Sequence, residues 1–194
     1  MARDRIFIDN EKIIDTAYDL ISEVGYWKFS TRKLAEALNV SPMTLYNYVE
    51  NKDEIILRVF LKGMRNLFDR MQERSQHMWH VIERDPYYLY KILSEVFLDF
   101  AKHNSHMYTL LFNIPGIDVK NNQEIVRLYS AAYDMIHHLI PESKRDQARK
   151  EILMFLVLMN GLVNRCLRNV PGFTEELYHS LIDEAMAKLF SPLD

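Results

Sequence analysis

From Ser41 to Val49 the chain reads SerProMetThrLeuTyrAsnTyrVal. At helical spacing Leu45 and Val49 turn inward, which leaves Met43, Thr44, Tyr46, Asn47 and Tyr48 wholly or partly outside. These outer side chains are small, hydrogen-bonding or aromatic, with no run of charge. Such a set suits the major groove of duplex DNA, where base edges offer donors, acceptors and thymine methyls. Asn47 carries the amide that pairs bidentately with adenine, and Met43 and Tyr48 project beside it as further base readers. The plainer reading is an ordinary helix-turn-helix corner of an all-α domain.

Two short helices must hold these residues out. Ser30 or Thr31 caps the first, because a hydroxyl oxygen accepts a free backbone N–H there. Leu34, Ala35 and Leu38 form its apolar face. Asn39-Val40 is the turn, and asparagine tolerates the left-handed conformation a tight turn needs. Ser41 caps the second helix, Pro42 to Tyr48, with proline at a position that needs no N–H. A preceding helix buttresses the pair. It starts at Asp9 or Asn10, carries Ile13, Ile14, Ala17, Leu20, Ile21 and Val24 on one stripe, and ends at Gly25. Tyr26 to Phe29 connects it onward, with Phe29 in the core. Asn51 then caps a long helix to about Gln76, with Asp53 and Glu54 in its first turn.

ThrArgLysLeuAla at 31–35, ThrLeuTyr at 44–46 and Lys52 just beyond resemble the TetR family of bacterial transcriptional regulators. The detailed match covers about residues 10–60. The sequence departs from the family pattern at Asn39, where glycine is frequent, and at Tyr48, where histidine is. The resemblance implies that Thr31, Thr44, Tyr46 and Lys52 contact phosphates and that Arg32 reaches a base edge. Hydroxyls and an ammonium at helix starts suit the first role, and a guanidinium facing guanine suits the second.

The whole chain has 194 residues, 48% hydrophobic and 26% charged, with only five glycines and six prolines. Few turns and no sustained β-branched alternation imply an all-α fold. Net charge is −3, and residues 1–62 hold nine Lys/Arg against ten Asp/Glu, so DNA affinity must come from placement of charge. The single cysteine, Cys166, excludes an internal disulfide framework and fits a cytoplasmic, reducing compartment. Its ordinary role is that of a small buried apolar residue. The first ten residues lack the apolar core of a signal peptide. The longest apolar run, Ile152 to Met159, falls far short of the roughly 18–20 residues that span a bilayer, so no membrane partner is expected.

Further helices are expected over about 87–102, 105–112, 121–139, 142–168 and 174–190, with a break at Asn113 to Gly116. About nine helices result, the number the resemblance implies. Residues 1–50 would form a three-helix DNA-binding domain. Residues 51–194 would form a helical ligand-binding and dimerisation domain. Ile152 to Met159 is apolar all round and needs cover on more than one side. A second copy of the chain would supply it, giving a four-helix bundle across a two-fold axis with Ile152, Leu156, Val163, Leu177, Leu181 and Leu189 at the interface. A deeply buried helix in a monomer is the simpler account. A homodimer would place two recognition helices one DNA turn apart on a near-palindromic operator. Trp79, Phe97, Phe100, Tyr129, Tyr133, Phe155 and Met159, with Asn160, Asn164 or His137 as orienting polar group, could line a pocket for an apolar or aromatic effector. Most such residues in a bundle are simply core.

The expected function is a ligand-responsive DNA-binding transcriptional regulator, a repressor. A helical protein–protein adaptor, or a constitutive regulator without a small-molecule effector, is the alternative. An enzyme is not expected. His77/His80 and His103/His106 share helix faces at i, i+3, but no zinc-protease motif or cysteine cluster joins them, so no metal or other cofactor is expected.

Overall fold

A computed structural model describes residues 8–114 and 122–190. The regular elements there are ten α-helices and three 3-10 turns, with no strand among the described residues. They are α1 (Asn10–Val24), α2 (Thr31–Ala37), α3 (Pro42–Leu45), α4 (Lys52–His77), α5 (Trp79–Ile82), α6 (Tyr88–His103), α7 (Ser105–Asn113), α8 (Gln123–Ile136), α9 (Arg145–Leu167) and α10 (Glu175–Leu189). The expected break at Pro115-Gly116, the helix start at Asn121 and the first residues of the N-terminus lie outside the described residues. The short α5 was not expected. The helix expected to run to Leu139 leaves α-geometry at Ile136 and finishes in a 3-10 turn, His137–Leu139.

The chain divides into two compact units, and the division does not follow the expected boundary at residue 50. Unit 1 takes Met1–Met64 together with Asn104–Ile117, and unit 2 takes Arg65–His103 and Asp118–Asp194. The reason is packing that sequence separation hides. The first half of α4 buries Ile55, Ile56, Val59 and Phe60 within unit 1, and α7 packs on α1. Two glycines mark the close approaches. Gly25 ends α1 at φ +81°, and a Cβ there would meet the His106 ring of α7 at 3.2 Å. A Cβ on Gly63 would meet Leu111 at 3.1 Å and the Met107 sulfur at 3.2 Å.

In unit 1 the caps read from the sequence are present. Asp9 accepts from the Lys12 N–H at 2.8 Å, and Ile13, Ile14, Ala17 and Ile21 of α1 are buried. Ser30 accepts from the Lys33 N–H at 3.3 Å to start α2. Asn39 sits at φ +55°, the left-handed turn position. Asn51 caps α4 by accepting from Glu54 N–H at 2.9 Å.

Unit 2 is built around α6, buried on nearly every side through residues such as Leu89, Tyr90, Leu93, Phe97 and Phe100. It packs against α9 and α10. The Tyr178 hydroxyl of α10 donates to the Ser94 carbonyl at 2.8 Å, and Lys91 and Lys102 reach Asp183 and Glu175 at 2.6 and 2.7 Å.

Candidate nucleic-acid interface

The second helix of the corner is shorter than expected. Only Pro42–Leu45 is α-helical. The N–H groups of Asn47 and Tyr48 turn to carbonyls three residues back, Thr44 and Leu45, at 3.2 and 3.0 Å. Leu45 and Val49 on either side of this turn are both buried. Ser41 caps the helix, its hydroxyl accepting from Thr44 N–H at 3.0 Å and lying 2.8 Å from the Thr44 hydroxyl. Proline at the first turn costs no hydrogen bond.

The outward face is the one the sequence predicts. Met43 is 77% exposed, Tyr46 44% and Tyr48 40%, with Asn47 also exposed. These apolar groups face solvent beside a polar amide while Leu45 and Val49 hold the helix down. The Tyr46 hydroxyl donates to Thr31 Oγ1 at 3.1 Å, so it ties the end of α3 to the first residue of α2. Arg32 is exposed and forms an i, i+4 pair with Glu36 at 3.2 Å. An exposed pair of this kind is worth little and yields to a stronger acceptor. Lys52 is more constrained. Its Nζ donates to the Phe29 carbonyl at 3.4 Å and lies 5.3 and 5.8 Å from the ring centroids of Tyr26 and Phe29. Thr31, Tyr46 and Lys52 thus gather around the start of α2. Sequence reasoning passed over Lys33, whose Nζ donates to the Lys28 carbonyl at 3.1 Å on the same side. Its signal was present, a cation two residues into a capped helix.

The residues expected at an interface between copies divide differently. Ile152 and Val163 are buried inside unit 2, with Phe155 and Met159. They belong to its core and cannot face a second copy. The exposed apolar residues of α9 are Leu153, Met154, Val157 and Leu158, to which α10 adds Leu177. Leu156, Leu181 and Leu189 are half-buried. A helix that is apolar all round gives no phase in sequence, so the inward and outward faces could not be told apart.

The expected pocket residues are also spread out. Phe97, Phe100, Phe155 and Met159 are packed in the unit 2 core, while Tyr129 is 43% exposed and so cannot line an enclosed cavity. Trp79 on α5 donates to Glu83 at 2.8 Å and stacks on His138. Tyr133 is buried, with the Arg149 guanidinium 4.7 Å from its ring centroid. Asn160 lies half-buried, its side-chain oxygen accepting from Asn164 at 3.2 Å. Beside Tyr133 is a second phenol. Tyr90 is fully buried, packs edge-on to Phe155, and its hydroxyl has no partner among the described residues. Burial and neighbouring Tyr133 hold that phenol above the usual range. A separate cleft of about 450 Å³ is lined by Arg70, Glu73, Arg74, His77, Met78, Val96 and Asp99. The histidines of the two i, i+3 pairs face main-chain oxygens in three cases, His77 to Glu73, His103 to Asp99 and His106 to Ser22. No group of three or more His, Cys, Asp or Glu suited to a metal ion occurs among the described residues. No helix among them is long and apolar enough to cross a membrane.

Residues 13–59 match bacterial regulatory proteins of the tetR family. The chain is similar to the fatty acid metabolism regulator protein of Bacillus subtilis, 36% identical over 62 residues, which is 32% of each chain. It therefore spans about a third of that relative's length. Its fold is similar to that of a transcriptional regulator from Rhodococcus sp. Rha1, with a TM-score of 0.66 at 14% identity over 92% of this chain and 94% of that one. It is also similar to the fatty acid degradation regulator FadR of Bacillus halodurans, with a TM-score of 0.61 at 19% identity over 94% and 95%. At such identities the likeness speaks for the fold alone, and it extends over nearly the whole chain.

Proposed function

We propose that this chain is a DNA-binding regulator of the TetR kind, supported by the match over residues 13–59 and by the shared fold, and that it is a ligand-responsive repressor binding a near-palindromic operator as a homodimer. One observation carries the DNA reading. A four-residue helix buries Leu45 and holds Met43, Tyr46, Asn47 and Tyr48 outside. Such a helix adds almost nothing to its own core, so its outer face is where a function would be found. In this reading Asn47, Met43, Tyr48 and Arg32 meet base edges. Thr31, Thr44, Tyr46 and Lys52 hold the phosphates.

The homodimer is supported by the apolar stripe Leu153, Met154, Val157 and Leu158 on α9, continued by Leu177 of α10. A stripe of this kind on a regulator that reads a two-fold operator is best covered by its own symmetry mate. For the effector, the unpartnered hydroxyl of Tyr90 supports a small molecule with an apolar body and one hydrogen-bonding group. Two of the three similar proteins are named as regulators of fatty acid metabolism or degradation, so acyl compounds are the first to test. Binding would shift the population of recognition-helix spacings through α4, a continuous helix whose residues belong to both units.

The test is selection of bound sites from random duplex DNA, followed by gel-shift titration of the recovered duplex. Asn47→Ala is expected to cost about 1–3 kcal/mol at one base pair. Lys52→Ala should weaken binding to every sequence and lower the salt slope by about one. Failure to recover any duplex would instead favour an adaptor that keeps the corner without DNA. If acyl compounds and other apolar ligands leave affinity unchanged, the regulator is constitutive or controlled by a partner.

A further inference from the structure

The turn between α1 and α2 carries a feature the recognition face does not use. Trp27 is 77% exposed, as open to solvent as Met43. It sits in the 3-10 turn Tyr26–Lys28, its ring edge-on to Tyr26 with centroids 4.9 Å apart. A lone exposed apolar side chain is ordinary on a protein surface. This one stands on a turn where three lysines converge. Lys28 is its neighbour, Lys33 donates to the Lys28 carbonyl at 3.1 Å, and Lys52 lies 5.3 Å from the Tyr26 ring. The unit 1 ion pairs are Arg32–Glu36, Arg58–Glu54 and Lys62–Asp15, so none of these three lysines is matched by a carboxylate among the described residues.

We infer that this turn is a second DNA contact, in which the indole of Trp27 lies against the sugar–phosphate backbone flanking the half-site while Lys28 and Lys33 face its phosphates. The inference rests on the DNA reading of α3 and extends its footprint. The occupant follows from charge and continuity. An exposed indole on a turn that also carries unmatched lysines fits a polyanion whose backbone also offers apolar sugar faces. Lys52 and Thr31, assigned to phosphates in that reading, border the same turn through Phe29 and Ser30. The indole N–H can donate to a phosphate oxygen, and the ring's burial adds affinity without base readout.

The probe is the duplex recovered from random-sequence selection, made in two lengths with the same half-sites and with flanks kept or trimmed. The chain has two tryptophans, so subtracting the emission of Trp27→Phe from that of the unsubstituted protein isolates this indole. On the long duplex its emission should shift to the blue and gain protection from acrylamide. Trp27→Ala should bind the long duplex roughly five- to tenfold more weakly, with the salt slope unchanged. Lys28→Ala should weaken the same complex and lower the slope by about one. Both losses should vanish on the trimmed duplex. If Asn47→Ala and Lys52→Ala impair binding but Trp27 stays open to acrylamide and Trp27→Ala binds normally, the flank contact is wrong and the recognition face stands. If no variant affects binding, both are wrong. A blue shift on raising protein concentration without DNA would assign the indole to a second copy of the chain and overturn the inference.

Discussion

Tyr178 and Tyr90 are both buried phenols, and they differ in what the hydroxyl meets. Tyr178 donates to Ser94 at 2.8 Å, whereas Tyr90 has no partner among the described residues. A made hydrogen bond contributes about 1 kcal/mol, while a buried hydroxyl without one costs free energy. Tyr178→Phe should therefore lower stability by about 1 kcal/mol in urea denaturation. Tyr90→Phe should be neutral or stabilising by up to about 1 kcal/mol, and should weaken the response to effector if the proposed ligand meets that hydroxyl. Tyr46→Phe belongs to a third class, since its hydroxyl is exposed and bonded to Thr31. It should leave stability nearly unchanged yet weaken binding to all duplexes, which paired denaturation and gel-shift titrations would separate. Local chemistry was legible at this scale. The caps at Asp9, Ser30, Ser41 and Asn51 and the left-handed Asn39 follow from side chains that reach their own backbone. The partner of Tyr46 was not legible, because Thr31 lies fifteen positions away.

Among the elements, α9 shows best how packing assigns what composition leaves open. Ile152, Phe155, Met159 and Val163 point into unit 2, and Leu153, Met154, Val157 and Leu158 point out. Replacing Leu153 and Val157 together by glutamate should leave the fold intact, because both are already in solvent in the isolated chain. The pair should shift sedimentation from dimer to monomer and abolish the retarded operator complex. The same double substitution in Ile152 and Val163 should unfold unit 2. Gly63 sets a second element-level test. α4 and α7 approach so closely there that added carbon meets Leu111 and Met107 within about the contact limit, at 3.1 and 3.2 Å. Gly63→Val should cost about 1–3 kcal/mol by overpacking, seen as a lower melting temperature. No property of residue 63 alone marks it, since its neighbours come from a helix more than forty residues later.

At the scale of the whole molecule, buried phenols set an alkaline limit. Burial, then Glu151, pushes Tyr87 up to about 12, and burial raises Tyr90 and Tyr178 further from the ordinary value of 10. Phenols held protonated in the folded state add stability that is fully present below pH 10. It is lost as pH rises beyond that value, because the unfolded chain gives up these protons first. Urea midpoints should fall steeply between pH 10 and about 12, and the double variant Tyr90→Phe, Tyr178→Phe should flatten that fall. Net charge is −3, so in the proposed reading DNA affinity would rest on the local cations of unit 1 and should drop sharply with salt despite it.

The sequence by itself determined most of the helices, though not α5 or the early end of α3, and it determined their caps in unit 1, the corner at Asn39 and the side chains that corner presents. Each depends on neighbours within about four residues, where helical periodicity and capping act. Tertiary structure alone decided that α7 joins unit 1, that α9 shows Leu153 and Val157 outward, and that Lys52 reaches back to the turn that carries Trp27. These depend on which distant surfaces meet, and burial is a property of the pair that meets, which neither segment carries alone.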